Sequence, residues 1–486
     1  MKKFISVFMA LTLILLCFSS CSDDNTEEDT TYSFADSENT SNLTLAYTKS
    51  DSLDPYDAKS QLNIQISSLV FDGFFKLDSS YEPQAVVAKS ASINGISVTV
   101  ILNNVYFSDG TRVTAQDAEY SFYKAKESDY YSAGLENFSE FYVSSENVVM
   151  ITMARNDPYA LSCLDFPIVK RNVSEDDLPI GSGRYKFAKD GDNLYLVVNT
   201  GNQSFNPAIK TISLEAVHDY DYLDSSLVVG NTAIYCNDLS SGEYKRINAN
   251  TVEMGLNNLI YLGFNPTSLF AYSDLRQALS LALDRNYAVS GAFQSHARGS
   301  ALPFNPDWFA VSAYTFDLGA NSEKAAEMIE NSGVNIKSEE IVILYNSDNG
   351  FKKELASYLD DTLESLGFYS RIYGVEADEF KNEVRYGNYD IYIGECRLTQ
   401  NMDLYPLFTG SSNFGLAEGS ESNLAYDSFV DGKIEIMDFI NTFNSDVPFV
   451  PVCFRNAAVS YTRAIYGDFA PCDRDLFYDI ESWSIR

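Results

Sequence analysis

Three charged side chains stand close together in residues 394–408, GECRLTQNMDLYPLF, directly after a strand predicted at residues 389–393. Loops that follow strands are where α/β sheets bind ligands. Arg397 offers a planar fork of donors that suits a carboxylate, and Glu395 beside it can receive an ammonium group. The two residues can therefore hold a zwitterion jointly, with Asp403 as another acceptor for the amine. The alternative is an internal Glu–Arg ion pair or a solvated loop.

Catalytic and metal-binding motifs are missing from the sequence. The cysteines are scattered without a CxxC pair, and His218 and His296 lie far apart, so we predict neither a metal site nor a cofactor. The cysteines beyond Cys21 suggest buried free thiols, with one disulfide bridge as the alternative. No GxSxG or HExxH motif occurs, and catalytic carboxylates cannot be singled out among 68 acidic residues. We therefore expect a binding protein rather than an enzyme, with a surface hydrolase as the alternative from another class.

The charge balance excludes one class of partner. The chain has 486 residues and a formal net charge of −34. Nucleic acids bind surfaces rich in Lys and Arg, so we expect no nucleic-acid partner. Apolar residues make up 45% of the chain, which suffices for large cores. At roughly 150 residues per domain, the length suggests about three domains or subdomains.

The N-terminus has the pattern of a targeting signal. Residues 1–20 combine two lysines with an apolar run that ends at Phe18, which predicts a signal peptide. Small residues precede Cys21 and resemble a lipobox, although Phe18 replaces the usual Leu. We predict that Cys21 is lipidated, with simple secretion as the alternative. Residues 21–42 then form an acidic tether, since seven acids without Lys or Arg predict disorder.

Two periodicities predict the elements that must position the charged residues. An apolar strand at residues 259–264 runs into Asn265, and a helix follows with Ser273 as its predicted N-cap. One face of this helix holds Leu275, Ala278, Leu279, Ala282 and Leu283. Between residues 341 and 393, strands alternate with a helix, which predicts a parallel α/β arrangement.

Turns and caps are encoded in two further segments. In residues 107–122, FSDGTRVTAQDAEYSF, Asp-Gly predicts a tight reversal, and Thr114 with Asp117 predicts a capping box. In PIGSGRYKF, Gly181 and Gly183 indicate backbone angles that are closed to other residues.

The segments FSDGTRVTAQDAEYSF, PIGSGRYKF and LGFNPTSLFAYSDLRQALSLALDR together resemble the extracellular solute-binding proteins of peptide ABC importers, family 5. The resemblance covers roughly residues 43–486. It implies an α/β, two-lobed periplasmic-binding-protein-like fold of type II, with an extra small subdomain and mixed sheets flanked by helices.

The resemblance also implies how the chain is divided. The first lobe is expected to comprise residues 43–77, 179–262 and 451–486. Residues 78–178 are expected to form its small subdomain. Residues 263–450 are expected to form the second lobe.

Members of this family hold a ligand between the lobes, and a charged pair usually fixes the ends of a peptide. Tyr261 and Asn265 are expected near this cleft, and the alternative is that they are core and turn residues. Glu395 stands where relatives have Trp, and Leu398 stands near an expected Asp. This departure from the family's pattern bears on whether the ligand is a peptide.

The function implied by the resemblance is that of a substrate-binding lipoprotein of an ABC importer. Such a protein captures peptides and delivers them to a permease with ATPase subunits in the membrane. We expect a monomer that is lipid-anchored outside the cytoplasm, on the cell surface or in the periplasm. The alternatives are that the scaffold binds a nickel chelate, a sugar or an opine, or senses a signal peptide.

Overall fold

The computed structural model describes residues 43–174, 177–217, 220–409 and 415–486. The predicted signal peptide, the lipidation of Cys21, the acidic tether and His218 lie outside the described residues. Within the described ranges, none of the helices has the length and hydropathy that a membrane span needs.

The described chain is a mixture of strands and helices. The strands are β1 (Leu43–Tyr47), β2 (Phe75–Leu77), β3 (Pro83–Ala85), β4 (Ala88–Asn94), β5 (Ser97–Leu102), β6 (Phe138–Ser145), β7 (Val148–Met153), β8 (Tyr185–Asp190), β9 (Asn193–Val198), β10 (Thr211–Ala216), β11 (Ile234–Asn237), β12 (Asn250–Phe264), β13 (Ala297–Gly299), β14 (Glu340–Asn346), β15 (Tyr369–Val375), β16 (Ile391–Arg397), β17 (Val450–Tyr461), β18 (Ile465–Tyr466) and β19 (Ser484–Ile485). The α-helices are α1 (Gln61–Val70), α2 (Ala115–Glu127), α3 (Leu223–Val229), α4 (Ser273–Ala282), α5 (Arg285–Ser290), α6 (Ser322–Ser332), α7 (Gly350–Ser365), α8 (Ala377–Tyr386), α9 (Tyr405–Phe408), α10 (Glu421–Val430) and α11 (Ile436–Asp446).

Three larger sheets organise these elements. The order β1-β10-β9-β8 forms one sheet, and β4-β5-β7-β6 forms a second, antiparallel one. The central sheet has the order β11-β17-β12-β16-β14-β15, with β13 added to β17. In it β14 runs parallel to β15 and β16, while β12 is antiparallel to β16 and β17. The predicted α/β class with mixed sheets is therefore confirmed, and the strands between residues 341 and 393 run parallel as predicted.

The long strands β12 and β17 contribute to two separate hydrophobic cores. Met254 and Leu256 of β12 belong to a core that also contains the first two sheets, while Ile260 and Leu262 belong to a second core. We call the part around the former core (43–237 and 465–486, as far as described) the first lobe. The second lobe is the part at 258–453, as far as described.

The second lobe has a core on each face of the central sheet, because side chains of a strand alternate between faces. Ile260 and Leu262 face α4 to α7, whereas Leu259 and Tyr261 face the side of α9 to α11. The apolar face predicted for α4 is confirmed, since all five of its members are buried. The predicted cap is wrong by one residue: Ser273 is the first helical residue and follows Tyr272.

Of the two local features predicted in the first lobe, one is confirmed and one is wrong. The capping box at α2 is confirmed, with Thr114 and Asp117 exchanging hydrogen bonds as predicted. Gly181 and Gly183 are not in the left-handed region, contrary to our interpretation. Their role is close packing, since a Cβ on Gly181 would lie 2.0 Å from the carbonyl oxygen of Val70.

Cys163, Cys453 and Cys472 are buried free thiols, and Cys236 is a half-buried one. Cys396 is buried as well. The prediction of free thiols is therefore confirmed for Cys163, Cys236, Cys453 and Cys472.

Candidate functional site

A cavity of about 280 Å³ lies where the two lobes meet. Tyr130, Tyr131, Asp165 and Arg474 line it from the first lobe, and residues 397–400 line it from the second. Aromatic rings with a few convergent charged groups are typical of a site for a small molecule. This cavity is therefore the first candidate for a functional site.

Arg397 reaches the cavity because β16 extends as far as this residue, which is further than predicted. The strand continues to Arg397, where the sequence predicts its end at Ile393, since β16 pairs with β12 as far as Asn258. Gly394 permits this pairing, because a Cβ there would lie 2.4 Å from the Cζ of Tyr261. Glu395 and Arg397 thus lie on a strand and not in a loop.

Arg397 forms an ion pair that crosses from the second lobe to the first. Its Nη2 donates to both carboxylate oxygens of Asp473, at 2.8 and 2.9 Å. The Asp473 side chain is buried, whereas that of Arg397 is about half exposed. Attraction to Asp473 raises the pKa of the Arg397 guanidinium above its usual value. A positive and a negative group therefore meet at the edge of the cavity.

Arg474, the next residue, forms a second ion pair beside the first. Its Nε donates to Asp165 at 2.6 Å. The guanidinium lies over the rings of Tyr130 and Tyr131, at 4.7 and 5.0 Å from their centroids. Cation–π contacts of this kind strengthen when they are withdrawn from water. The first lobe thus presents to the cavity a wall of two rings and one guanidinium.

Glu395 does not share a partner with Arg397. It accepts hydrogen bonds from Lys352 at 2.9 Å, Arg455 at 2.7 Å and the Asn258 amide at 2.9 Å. Burial opposes its ionisation, but Lys352 and Arg455 outweigh burial and lower the pKa of Glu395 to about 2. The joint zwitterion site that we predict from Glu395 and Arg397 is not assembled in this structure.

Asp403 joins the second lobe to the small antiparallel sheet of the first. It accepts an ion-paired hydrogen bond from Arg155, whose guanidinium also lies 4.0 Å from the ring centroid of Tyr405. The N–H of Tyr405 donates to Asp403 at 2.9 Å, and the Tyr426 hydroxyl does so at 3.3 Å. These contacts fix the segment that follows β16.

Residues 155–159, which we call the hook, add to this connection. The Asp157 carboxylate accepts a hydrogen bond of 2.6 Å from Asn401. The centroids of the Tyr159 and Trp308 rings lie 4.5 Å apart. Burial raises the pKa of Asp157 to about 6, against hydrogen bonds that favour its charged form. The hook thus connects the first lobe to the second, and its residues are far in sequence from Arg397.

Tyr261 and Asn265 make contacts typical of core and turn. Tyr261 is buried, and its hydroxyl lies 3.4 Å from that of Tyr392. The Asn265 amide donates to the carbonyls of Gly387 and Tyr389, at 3.0 and 2.8 Å. Ligand contact by these two residues stays a prediction, as it does for Glu395 and Asp403.

Sequence reasoning did not find the residues that the first lobe brings to the cavity. Tyr130, Tyr131, Asp165 and Arg474, together with Asp473 as the partner of Arg397, come from three distant segments, and no spacing in the sequence joins them. The only local signal is the run Asp-Arg-Asp at 473–475, which is an unusual density of charge near buried segments.

The arrangement of the His, Cys, Asp and Glu side chains bears on metal binding in the described chain. No cluster of three or more His, Cys, Asp or Glu side chains there has the arrangement to hold a metal ion. His296 instead pairs with Glu253 at 2.9 Å, and the centroid of its ring lies 4.0 Å from that of the tilted Tyr244 ring.

Comparison with known proteins gives one family and one curated relative. The family profile described as bacterial extracellular solute-binding proteins, family 5 Middle, matches residues 81–413. The oligopeptide-binding protein AppA of Bacillus subtilis (strain 168) is 21% identical over 476 residues, which cover 86% of this chain and 86% of AppA.

Solved structures share the fold at low identity. MppA, a periplasmic murein tripeptide binding protein in an unliganded open form, has a TM-score of 0.74 and 17% identity, covering 92% of this chain and 98% of its own. NikZ of Campylobacter jejuni, in complex with Ni(L-His), has a TM-score of 0.62 and 19% identity, covering 92% and 99%. The two-lobed α/β fold that we predict from the sequence is thereby confirmed.

Proposed function

Since the chain belongs to the bacterial extracellular solute-binding proteins of family 5, we propose that it captures peptides in the interlobe cavity and delivers them to an ABC permease. The observation that carries this proposal is the meeting of Arg397 with Asp473 and Arg474 at that cavity. As a member of this family, the chain acts outside the cytoplasm.

The charges at the cavity suit a zwitterion. The Asp473 carboxylate can receive an ammonium group, and the Arg397 guanidinium can receive a carboxylate in a bidentate geometry. A peptide with free ends would replace the direct Arg397–Asp473 bond by two bonds of the same kind. Because the Asp473 side chain is only 5% exposed, its bond to the ammonium group forms in surroundings poor in water, where it is stronger.

A compact amino-acid-like solute is the second candidate. The cavity volume of about 280 Å³ lies just below the range for small-molecule sites, roughly 300–1,000 Å³. NikZ holds a nickel–histidine complex within the same fold. The charges of Arg397 and Asp473 would also hold the ends of a single amino acid.

Delivery requires that the protein stays near its permease. We propose that Cys21 is lipidated and that residues 22–42 form a tether between the membrane and the folded chain. The partners on this proposal are a permease and its ATPase subunits, and the bound solute is released unchanged.

The test is a pull-down with the purified mature protein from a peptide library supplemented with free amino acids, with retained ligands identified by mass spectrometry. Intact peptides should be retained, and Arg397→Gln should lower their retention about tenfold or more, because a charged hydrogen bond is lost. Arg371→Gln is the control, since Arg371 pairs with Glu340 at the surface. Retention of amino acids alone would favour the second candidate, fragments would indicate a hydrolase, and no retention would refute both binding proposals.

A further inference from the structure

Arg285 is a buried cation whose hydrogen bonds all go to neutral groups. It is 3% exposed. Its Nε donates to the carbonyl oxygens of Ser300 and Pro451, both at 2.9 Å. Its Nη1 and Nη2 donate to the carbonyl and the hydroxyl of Ser280, both at 3.0 Å. These bonds satisfy the guanidinium in part, but none of them balances its charge.

Other buried arginines of the described chain do have an acidic neighbour. Arg276, Arg455 and Arg474 lie 3.7, 2.7 and 2.6 Å from a carboxylate oxygen. Among the residues that the structure describes, no carboxylate comes within 4.0 Å of Arg285. Burial accordingly lowers the pKa of Arg285 to about 10, against small opposing effects of Tyr358 and Cys453. A buried charge without a partner is costly, so an anion bound there would stabilise the fold.

A cavity of about 390 Å³ lies beside Arg285 in the second lobe. Its walls are partly apolar, with Leu281, Phe316, Met328 and Phe443 among them. Its volume falls within the range for small-molecule sites, roughly 300–1,000 Å³. None of the residues that line the interlobe cavity lines this one.

Among the charged side chains that line this cavity, two are cations and one is a carboxylate. A guanidinium has five N–H groups, and the bonds to Ser280, Ser300 and Pro451 engage three of those of Arg285. Lys324 adds a second cation at the exposed rim. The exposed carboxylate of Asp317 is the acidic group among the lining residues, and it accepts from the N–H of Gly319 at 3.0 Å.

We propose that this cavity is a second binding site, for a small organic carboxylate. The carboxylate would supply the counter-charge that Arg285 lacks, and its apolar body would pack on the surrounding aromatic and aliphatic side chains. An organic carboxylate fits better than inorganic phosphate, because phosphate has no apolar part that could pack on the apolar side chains of the cavity. This site is separate from the interlobe cavity and does not depend on what binds there.

The test is calorimetry on the full mature protein with phenylacetate as the probe and phenylacetamide as its neutral counterpart. We expect saturable binding of phenylacetate, with the amide at least about tenfold weaker because it lacks the charge. Arg371→Gln, which changes an exposed residue outside this cavity, should leave this binding unchanged. Absence of binding, equal affinity for the amide, or binding of inorganic phosphate alone would each overturn the proposal.

Two variants test the location of the site. Ser280→Asp places a carboxylate next to Arg285, so we expect it to lower phenylacetate affinity about tenfold or more and to raise the melting temperature. Ser280→Asn is its neutral control and should retain binding. Met328→Trp reduces the volume of the cavity and should also block binding, which keeps the test valid if Ser280→Asp does not fold. Unchanged affinity in folded Ser280→Asp or in folded Met328→Trp would overturn the proposal.

Discussion

Glu395 balances two cations that are largely withdrawn from water. Lys352 lies 2.9 Å from one of its oxygens and Arg455 lies 2.7 Å from the other. The variant Glu395→Gln preserves the shape of the side chain but leaves both cations without a counter-charge. We expect it to lower the free energy of unfolding by about 3–5 kcal/mol, measured by urea denaturation near neutral pH.

The pH dependence of stability checks the same carboxylate. Burial opposes its charge, yet Lys352 and Arg455 lower the pKa of Glu395 from its ordinary value of 4.5 to about 2. The folded state therefore binds this proton more weakly than the unfolded chain. The stabilisation is complete above about pH 4.5 and is lost as the pH falls toward about 2, so the difference between wild type and variant should shrink over that range.

Glu340→Gln is the matched control for Glu395→Gln. It breaks the pair between Glu340 and Arg371, both of which are well exposed. Exposed ion pairs contribute about 0–1 kcal/mol, so this variant should remain close to wild type. An equally small effect at Glu395 would contradict the role that we assign to it.

Single residues also show how far a sequence can predict a site. The side-chain chemistry of Arg397 and its position after an apolar strand identify it as a candidate without any structure. Its partner Asp473 lies 76 residues away, and the pair of Asp165 with Arg474 spans 309 residues. Local spacing carries no information about such pairs, because only the tertiary fold brings them together.

At the scale of elements, the hook of residues 155–159 ties the small antiparallel sheet to the second lobe. The Tyr159 ring covers Trp308 at 4.5 Å and approaches Phe429 at 6.2 Å. We expect Tyr159→Ala to cost about 1–3 kcal/mol in the free energy of unfolding. It should also shift the fluorescence emission of Trp308 to longer wavelength, since water reaches the indole.

The control for Tyr159→Ala is a tyrosine of the small antiparallel sheet that precedes the hook. Tyr142 on β6 is 63% exposed, so Tyr142→Ala should change neither stability nor emission appreciably. The other tryptophan, Trp483, is buried in the first lobe and gives a constant background. Emission that stays the same in Tyr159→Ala would mean that the hook does not shield Trp308.

Elements differ in how well their sequence predicts them. The face of α4 follows from a helical repeat, which is a property of neighbouring residues, and it is correct. The predicted end of β16 is wrong. Glycine is typical of the end of a strand, but Gly394 continues β16 because it pairs with β12 and lies against the ring of Tyr261. Tertiary pairing decides such boundaries, and a local pattern cannot register it.

At the scale of the whole molecule, the order of motifs along the chain predicts the fold better than any single motif does. The turn and cap at residues 107–122, the glycines at 181 and 183, and the strand and helix at 259–285 are each ordinary structural features. Together they indicate the family that the profile over residues 81–413 then shows. The ligand is less predictable, because it depends on side chains that meet only across the two lobes.

The net charge of −34 gives a prediction for the entire chain. Repulsion among surface acids destabilises a compact state, and raising NaCl from about 10 mM to about 150 mM shortens the screening length from roughly 30 Å to 8 Å. Buried pairs such as Arg474–Asp165 are screened much less, so relief of repulsion should dominate. We therefore expect the melting temperature, measured by calorimetry, to rise by a few degrees. Sucrose at equal osmolality is the control for effects unrelated to charge. A melting temperature that falls when NaCl is added would mean that surface ion pairs outweigh the repulsion.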